Sequence, residues 1–199
     1  AGAIPSATAA AIPVYELQQE VHMTIKVSTS SLKDTGFLQT DFTCEGTDSS
    51  PHINWDAVPD GTQSIAIVAE DRFLGEIASH WVIWGISADT LEVAAGISGS
   101  TSLPHGAVEG MNSGGEPGYS GPCPPPKIIK GGPQCKSTGF DSNPYIWNIY
   151  AIDNPVSLGA SASRDDLLKA IDGSILAGGS IDIKYISKTL LRKGGNECW

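Results

Sequence analysis

Hydrophobic and polar positions in this chain fall into short apolar runs set apart by Gly, Pro, Asn and Asp, with one late stretch of helical spacing. Ser64-Ile-Ala-Ile-Val-Ala-Glu70, His80-Trp-Val-Ile-Trp-Gly-Ile86, Tyr145-Ile-Trp-Asn-Ile-Tyr-Ala-Ile152 and Ile181-Asp-Ile-Lys-Tyr-Ile186 are rich in β-branched and aromatic residues, which predicts strands. Val21 to Ile25 alternates in the same sense. The runs are nearly continuous, so they predict central strands buried on both faces. Trp55, Trp81, Trp84 and Trp147 belong with that core, and one of them is placed to wall a pocket.

The helical stretch follows Ser163, a capping residue, with Asp166 three positions on as a variant capping box and Asp165 beside it to suit the helix dipole. Leu167, Leu168, Ile171 and Ile175 form one apolar face, and Gly178-Gly179 is the expected stop. Residues 1–20 are Ala/Ser/Pro-rich and then polar, which predicts an arm. Residues 96–144 carry Gly, Pro and Ser with little periodicity, which predicts a long loop region. The expected fold is therefore mainly β. A sandwich-like core spans residues 21–199, with a helix in its C-terminal region.

Length and charge narrow the class. A chain of 199 residues can bury one sizeable core, and 40% hydrophobic against 17% charged residues is a globular balance. Twelve basic against 22 acidic residues give a net charge of −10, which repels phosphate backbones and anionic bilayers. Nucleic acid is not an expected partner. No run approaches the roughly eighteen apolar residues of a membrane-spanning helix. A small ligand in a pocket stays open.

Four cysteines, Cys44, Cys123, Cys135 and Cys198, can pair in any of about three ways. Cys123 and Cys135 flank a Pro/Gly-rich segment and are the favoured pair, which leaves Cys44 with Cys198 to pin the C-terminal tail. The even count, and a start at Ala1-Gly2-Ala3 without Met, are expected of a secreted protein after signal-peptide removal. A shortened chain would begin the same way.

Four further stretches, in fixed order, carry a resemblance. They are Phe42-Thr-Cys-Glu-Gly46 running on to Ser50-Pro51-His52-Ile53-Asn54-Trp55; Ser79-His80-Trp81-Val82; Leu103-Pro104-His105-Gly106 with Asn112-Ser113 and Gly118-Tyr119-Ser120-Gly121-Pro122-Cys123-Pro124-Pro125; and Tyr145 to Asp153 followed by Leu167 to Gly173. Over residues 22–188 the chain resembles the bacterial and fungal branch of the phosphatidylethanolamine-binding protein (PEBP) superfamily. The resemblance implies a PEBP-like β-sandwich with a small anion-accepting pocket. That pocket is lined by an Asp-Pro-Asp-Ala-Pro loop, the His of a His-Trp strand, a Gly-Pro-x-Pro-Pro turn and a His-x-Tyr pair.

His80, Tyr119, Gly121, Pro122 and Tyr145 match that pattern. Glu70-Asp71-Arg72-Phe73-Leu74 stands in place of the acidic loop, and Asn143-Pro144-Tyr145 in place of His-x-Tyr. The expected ligand residues are thus His80, Asp71, Glu70, Arg72, Tyr119, Gly121, Pro122, Asn143 and Tyr145. Phosphate needs converging donors, and an ammonium group needs carboxylates. Losing a histidine and a carboxylate while gaining an aromatic and a guanidinium favours a bulkier, more apolar ligand. No cofactor is implied, and His22, His52 and His105 show no metal-ligand spacing.

The resemblance suggests a secreted protein that binds a small anion, a lipid head group or a polyketide-like molecule. One alternative is an enzyme or accessory protein of a natural-product pathway, promoting ring formation or coupling. There His80 with Asp71 would take a proton from a carbon acid and Arg72 or a tyrosine would steady the oxyanion. A second alternative is a protease or kinase inhibitor, acting on a protease through the arm at residues 1–20.

Overall fold

The computed structural model describes residues 23–73, 76–100, 103–123 and 145–185. Its strands are β1 (Met23–Thr24), β2 (Val27–Ser28), β3 (Ile53–Trp55), β4 (Ser64–Phe73), β5 (Glu76–Ser87), β6 (Glu92–Val93), β7 (Val108–Glu109), β8 (Tyr145–Ile152) and β9 (Ile175–Ile183). One helix, α1 (Arg164–Ile171), lies between β8 and β9. Six strands form a sheet in the order β1-β9-β8-β4-β5-β7, and a second sheet runs β2-β3-β6. Pairing is antiparallel except between β1 and β9. The expected β-sandwich with a late helix is what forms.

Alternation along β4 explains why its apolar run is continuous. Ile65, Ile67 and Ala69 point into a core shared with Trp147, Ile149, Trp81 and Ile83 and with Ile53, Trp55 and Val93 of the second sheet. Ala66 and Val68 point the other way, where Val82, Trp84 and Ile152 pack with Leu167 and Ile171 of α1. A strand covered on both sides has no polar face to show in its sequence. The four tryptophans expected in the core are all buried.

The helix starts as expected. Ser163 Oγ accepts from the Asp166 backbone N–H, and the Asp166 carboxylate accepts from the Ser163 N–H at 2.9 Å. It ends earlier than its apolar spacing predicts. Gly173, at φ 77°, turns the chain just past Ile171, and Ile175 already belongs to β9. Gly178-Gly179 is not a helix stop but mid-strand. A Cβ on Gly179 would lie 1.9 Å from the Ile25 carbonyl oxygen, so the pair lets the N-terminal segment pack against β9. The expected long loop also holds structure, since β7 pairs with β5 and a short 3-10 turn covers Pro104–Gly106.

The cysteine pairing differs from the expected one. Cys44 bonds Cys123, with Cα atoms 5.4 Å apart at a sequence separation of 79. Cys123–Cys135 and Cys44–Cys198 are therefore not the pairs, and Cys135 and Cys198 lie outside the described residues. Spatial proximity decided this against sequence proximity. The turn at Gly121-Pro122 lies against the segment Phe42–Cys44, where Cys44 N–H reaches the Pro122 carbonyl at 3.3 Å.

Candidate functional site

His80 reaches the interior through a register defect. Along β5, Trp81 stands opposite Ala69 and Ser79 opposite Glu70, so His80 is the extra residue of a β-bulge. Such a bulge bends the strand and re-aims a side chain. Strict alternation from Trp81 would send His80 toward the helix face. Instead its ring lies edge-on to that of Tyr145, with centroids 5.3 Å apart, and beside Asp71.

The two imidazole nitrogens have different surroundings. Nδ1 lies 2.7 Å from the Ser120 carbonyl oxygen, which only accepts, so the proton belongs on Nδ1. Nε2 is buried and makes no well-directed hydrogen bond among the described residues, while Asp71 Oδ2 lies 3.4 Å away. A bare Nε2 lone pair facing an ionised carboxylate is repelled. A donor placed between the two atoms turns that repulsion into attraction. Both side chains are mostly covered, at 17% and 13% exposure, which strengthens the electrostatic interaction between them.

The Gly-Pro turn is fixed from several sides. Ser120 N–H donates to the His80 carbonyl at 2.9 Å, and Gly121 N–H donates to Asp48 Oδ1 at 2.7 Å. A Cβ on Gly121 would sit 2.4 Å from the Phe42 carbonyl oxygen, so only glycine permits this approach. Tyr119 OH donates to that same Phe42 carbonyl at 2.7 Å, and Tyr119 N–H to Ser98 Oγ at 2.7 Å. Burial, then the charge of Asp48 and the neighbouring Tyr145, push the Tyr119 phenol well above its usual range. It therefore stays a neutral donor.

Of the expected ligand residues, the structure brings together His80, Asp71, Tyr119, Gly121, Pro122 and Tyr145. Glu70 and Arg72 are not with them. They face the helix side of the sheet, where buried Glu70 binds Arg72 at 3.0 Å and Arg164 at 2.5 Å. Asn143 lies outside the described residues. His52 is tied elsewhere: Ser30 N–H donates to its Nδ1, which leaves Nε2 to donate to Glu92 at 3.2 Å. His105 falls in the Pro104–Gly106 turn. His22 and the residue 1–20 arm lie outside the described residues. No group of three metal-ligating side chains occurs among the described residues.

Sequence reasoning missed Asp48, Ser120 and Glu109. Glu109 is buried, accepting from the Trp81 indole at 2.6 Å and from Gly99 N–H at 3.0 Å. Its pattern in sequence is that of any loop carboxylate. The first two act on or through the main chain, which leaves little residue-type signal. Two cavities of about 540 Å³ lie away from His80. One runs along α1 beside Asp166 and Lys169, and the other between β5 and β6 beside Ile83, Ile86 and Val93.

A two-sheet β-sandwich whose bulged His-Trp strand meets a Gly-Pro turn defines a class, and comparison with known proteins gives it a name. The family model for phosphatidylethanolamine-binding protein matches residues 28–186. A UPF0098 protein of Methanothermobacter thermautotrophicus is 31% identical over 153 residues, 76% of this chain and 92% of that one. A UPF0098 protein of Aquifex aeolicus is 31% identical over 158 residues, 77% of this chain and 83% of that one. Escherichia coli YbcL, described as a member of the mammalian PEBP family, superposes with a TM-score of 0.70 at 25% identity. The match covers 83% of this chain and 100% of that structure. The PEBP homolog CT736 of Chlamydia trachomatis shares the fold, with a TM-score of 0.66 at 23% identity over 83% of this chain and 99% of that one. This chain belongs to the phosphatidylethanolamine-binding protein family.

Proposed function

We propose that this protein binds a small amphipathic molecule through a hydroxyl or carboxyl group presented to His80 and Asp71. The observation that carries this reading is the assignment of the two His80 nitrogens. Nδ1 is committed to Ser120, and Nε2 faces Asp71 Oδ2 at 3.4 Å. A group that both donates and accepts, such as an alcohol or an undissociated acid, complements that pair. A phosphate head group fits less well, because two of its expected donors are already engaged. Gly121 N–H is bound to Asp48, and Tyr119 OH to the Phe42 carbonyl. The exposed Cys44–Cys123 disulfide supports placing the protein in an oxidising compartment, and we take secretion as part of the proposal.

Catalysis is the second reading. A histidine held in one tautomer beside a carboxylate is the arrangement of a general base. The surroundings favour binding over turnover. Arg72 lies across the sheet, so it is not placed to steady an oxyanion at His80, and the Gly121 and Tyr119 donors are spent.

Native mass spectrometry and ligand-observed NMR test the choice with two panels, phosphate head groups such as phosphoethanolamine and carboxylated or hydroxylated polyketide-like molecules. Each is repeated with His80→Ala. Binding in the second panel, lost in the variant, is the expected result. Head-group binding lost in the variant would overturn the ligand class, and binding unchanged in the variant would overturn the site.

A further inference from the structure

Asp48 and His80 meet one peptide group from opposite edges. The Ser120 carbonyl accepts from His80 Nδ1 at 2.7 Å, and the Gly121 N–H donates to Asp48 Oδ1 at 2.7 Å. Those two atoms belong to the single peptide unit between Ser120 and Gly121. In a trans peptide its C=O and N–H point in opposite directions, and no cis bond occurs among the described residues. The result is a continuous chain: imidazole N–H, carbonyl, amide N–H, carboxylate.

Several features hold this chain in place. Ser120 N–H returns to the His80 carbonyl, and the disulfide at Cys44–Cys123 ties the turn to the Asp48 segment. Glycine at position 121 is what admits the carboxylate, since a Cβ there would stand 2.6 Å from Asp48 Oδ1. Asp48 itself has φ 55°, a left-handed conformation that costs most side chains energy and that Asp tolerates.

We propose that Asp48 is a positioning residue for His80, acting through the Ser120–Gly121 peptide. Its carboxylate polarises the peptide, which makes the Ser120 carbonyl a stronger acceptor. The stronger acceptor keeps the proton on Nδ1 and leaves Nε2 directed at Asp71. Hydrogen bonds in a chain reinforce one another in this way, and an ionised end strengthens the whole. The arrangement does for this histidine what a carboxylate bonded directly to Nδ1 does in a Ser-His-Asp triad, with a peptide group interposed. Asp48 is exposed, so its substitution leaves the core untouched. The functional consequence rests on His80 being the ligand-contacting group, whereas the link itself is measured without ligand.

The experiment is long-range ¹H–¹⁵N NMR of the histidine rings at alkaline pH, with His80→Ala for assignment. The wild-type ring is expected as the Nδ1–H form with a slowly exchanging proton. Asp48→Asn keeps an acceptor for Gly121 and loses the charge. Its Nδ1 proton is expected to exchange about two- to tenfold faster. Asp48→Ala loses both and is expected to show a mixture of ring tautomers. Glu45→Gln removes a charge from the same segment without touching that peptide and is expected to leave the ring unchanged. Wild-type exchange and tautomer in both Asp48 variants would overturn the proposal, as would an equal response to Glu45→Gln. Should the ring respond as expected while His80→Ala leaves ligand binding intact, the link stands and the binding reading fails.

Discussion

Glu70 and Asp71 are neighbours in the chain and serve opposite faces of one strand. Asp71 faces His80 inside the sandwich, whereas Glu70, 2% exposed, is clasped by Arg164 from the helix. Glu70 is thus a fastener between β4 and α1, on the face of the sheet away from His80. Removing one partner of a buried ion pair leaves the other charge uncompensated. Arg164→Ala is expected to cost about 2–4 kcal/mol in urea unfolding, somewhat under the usual range because Arg72 still reaches Glu70. Arg72→Ala, at an exposed arginine, is expected to cost no more than about 1 kcal/mol. Neither should alter binding at His80, and a loss of binding in Arg72→Ala at unchanged stability would put that arginine back in the site.

Asp71→Asn tests the carboxylate that faces His80. The amide fills the same space but lacks the charge that strengthens a hydrogen bond to the ligand. Ligand affinity is expected to fall at least about tenfold, roughly the 1.4 kcal/mol of one charge-assisted hydrogen bond, with little change in thermal stability. Titration calorimetry with the ligand found in the panels measures it. Equal affinity in Asp71→Asn and wild type would exclude the pair from recognition.

Most of the fold was legible because strand composition and the order of motifs speak at the level of residue types. Ser163 with Asp166 predicted the helix start for the same reason: a cap is a side-chain event. The helix end was misread because Leu167, Leu168, Ile171 and Ile175 keep helical spacing across a boundary that Gly173 sets by its backbone conformation. The grouping of His80 with Tyr145 was legible from the motifs, whereas the contact of Asp48 was not, because it is made to a backbone N–H. Alternation alone could have separated Asp71 from Glu70 and Arg72, since one residue of offset reverses the face. It would also have misplaced His80, because nothing in Ser79-His80-Trp81 announces the bulge.

The Cys44–Cys123 bond closes a long loop and fixes the Gly121-Pro122 turn at the site. On the chain-entropy picture a loop of that length is worth about 4–5 kcal/mol, and measured values run lower. Cys44→Ser is expected to destabilise by about 2–4 kcal/mol and to weaken ligand binding as the turn loosens. A proteolytic map without reductant is expected to show one peptide pair joined through Cys44 and Cys123. Recovery of a Cys123–Cys135 peptide instead would contradict the pairing and its support for the turn.

Tyr185 gives the protein a signature at alkaline pH. Its hydroxyl donates to Glu45 Oε2 at 2.6 Å; burial first, then that bond and the Glu45 charge, push its phenol from 10.0 up to about 12. In the unfolded chain the same phenol titrates near its ordinary value of about 10. Between those values the folded protein keeps a proton that the unfolded chain has lost. Unfolding then releases protons, so stability falls as pH rises. This contribution is complete below about pH 10 and is lost as pH climbs through about 12. Tyr185→Phe has no proton to lose, so its melting temperature should decline less steeply over that window. Tyr119, also raised by burial, is present in both proteins and cancels from the comparison. Melting curves that run parallel from pH 9 to 12 would show that the Tyr185–Glu45 bond carries no linked proton.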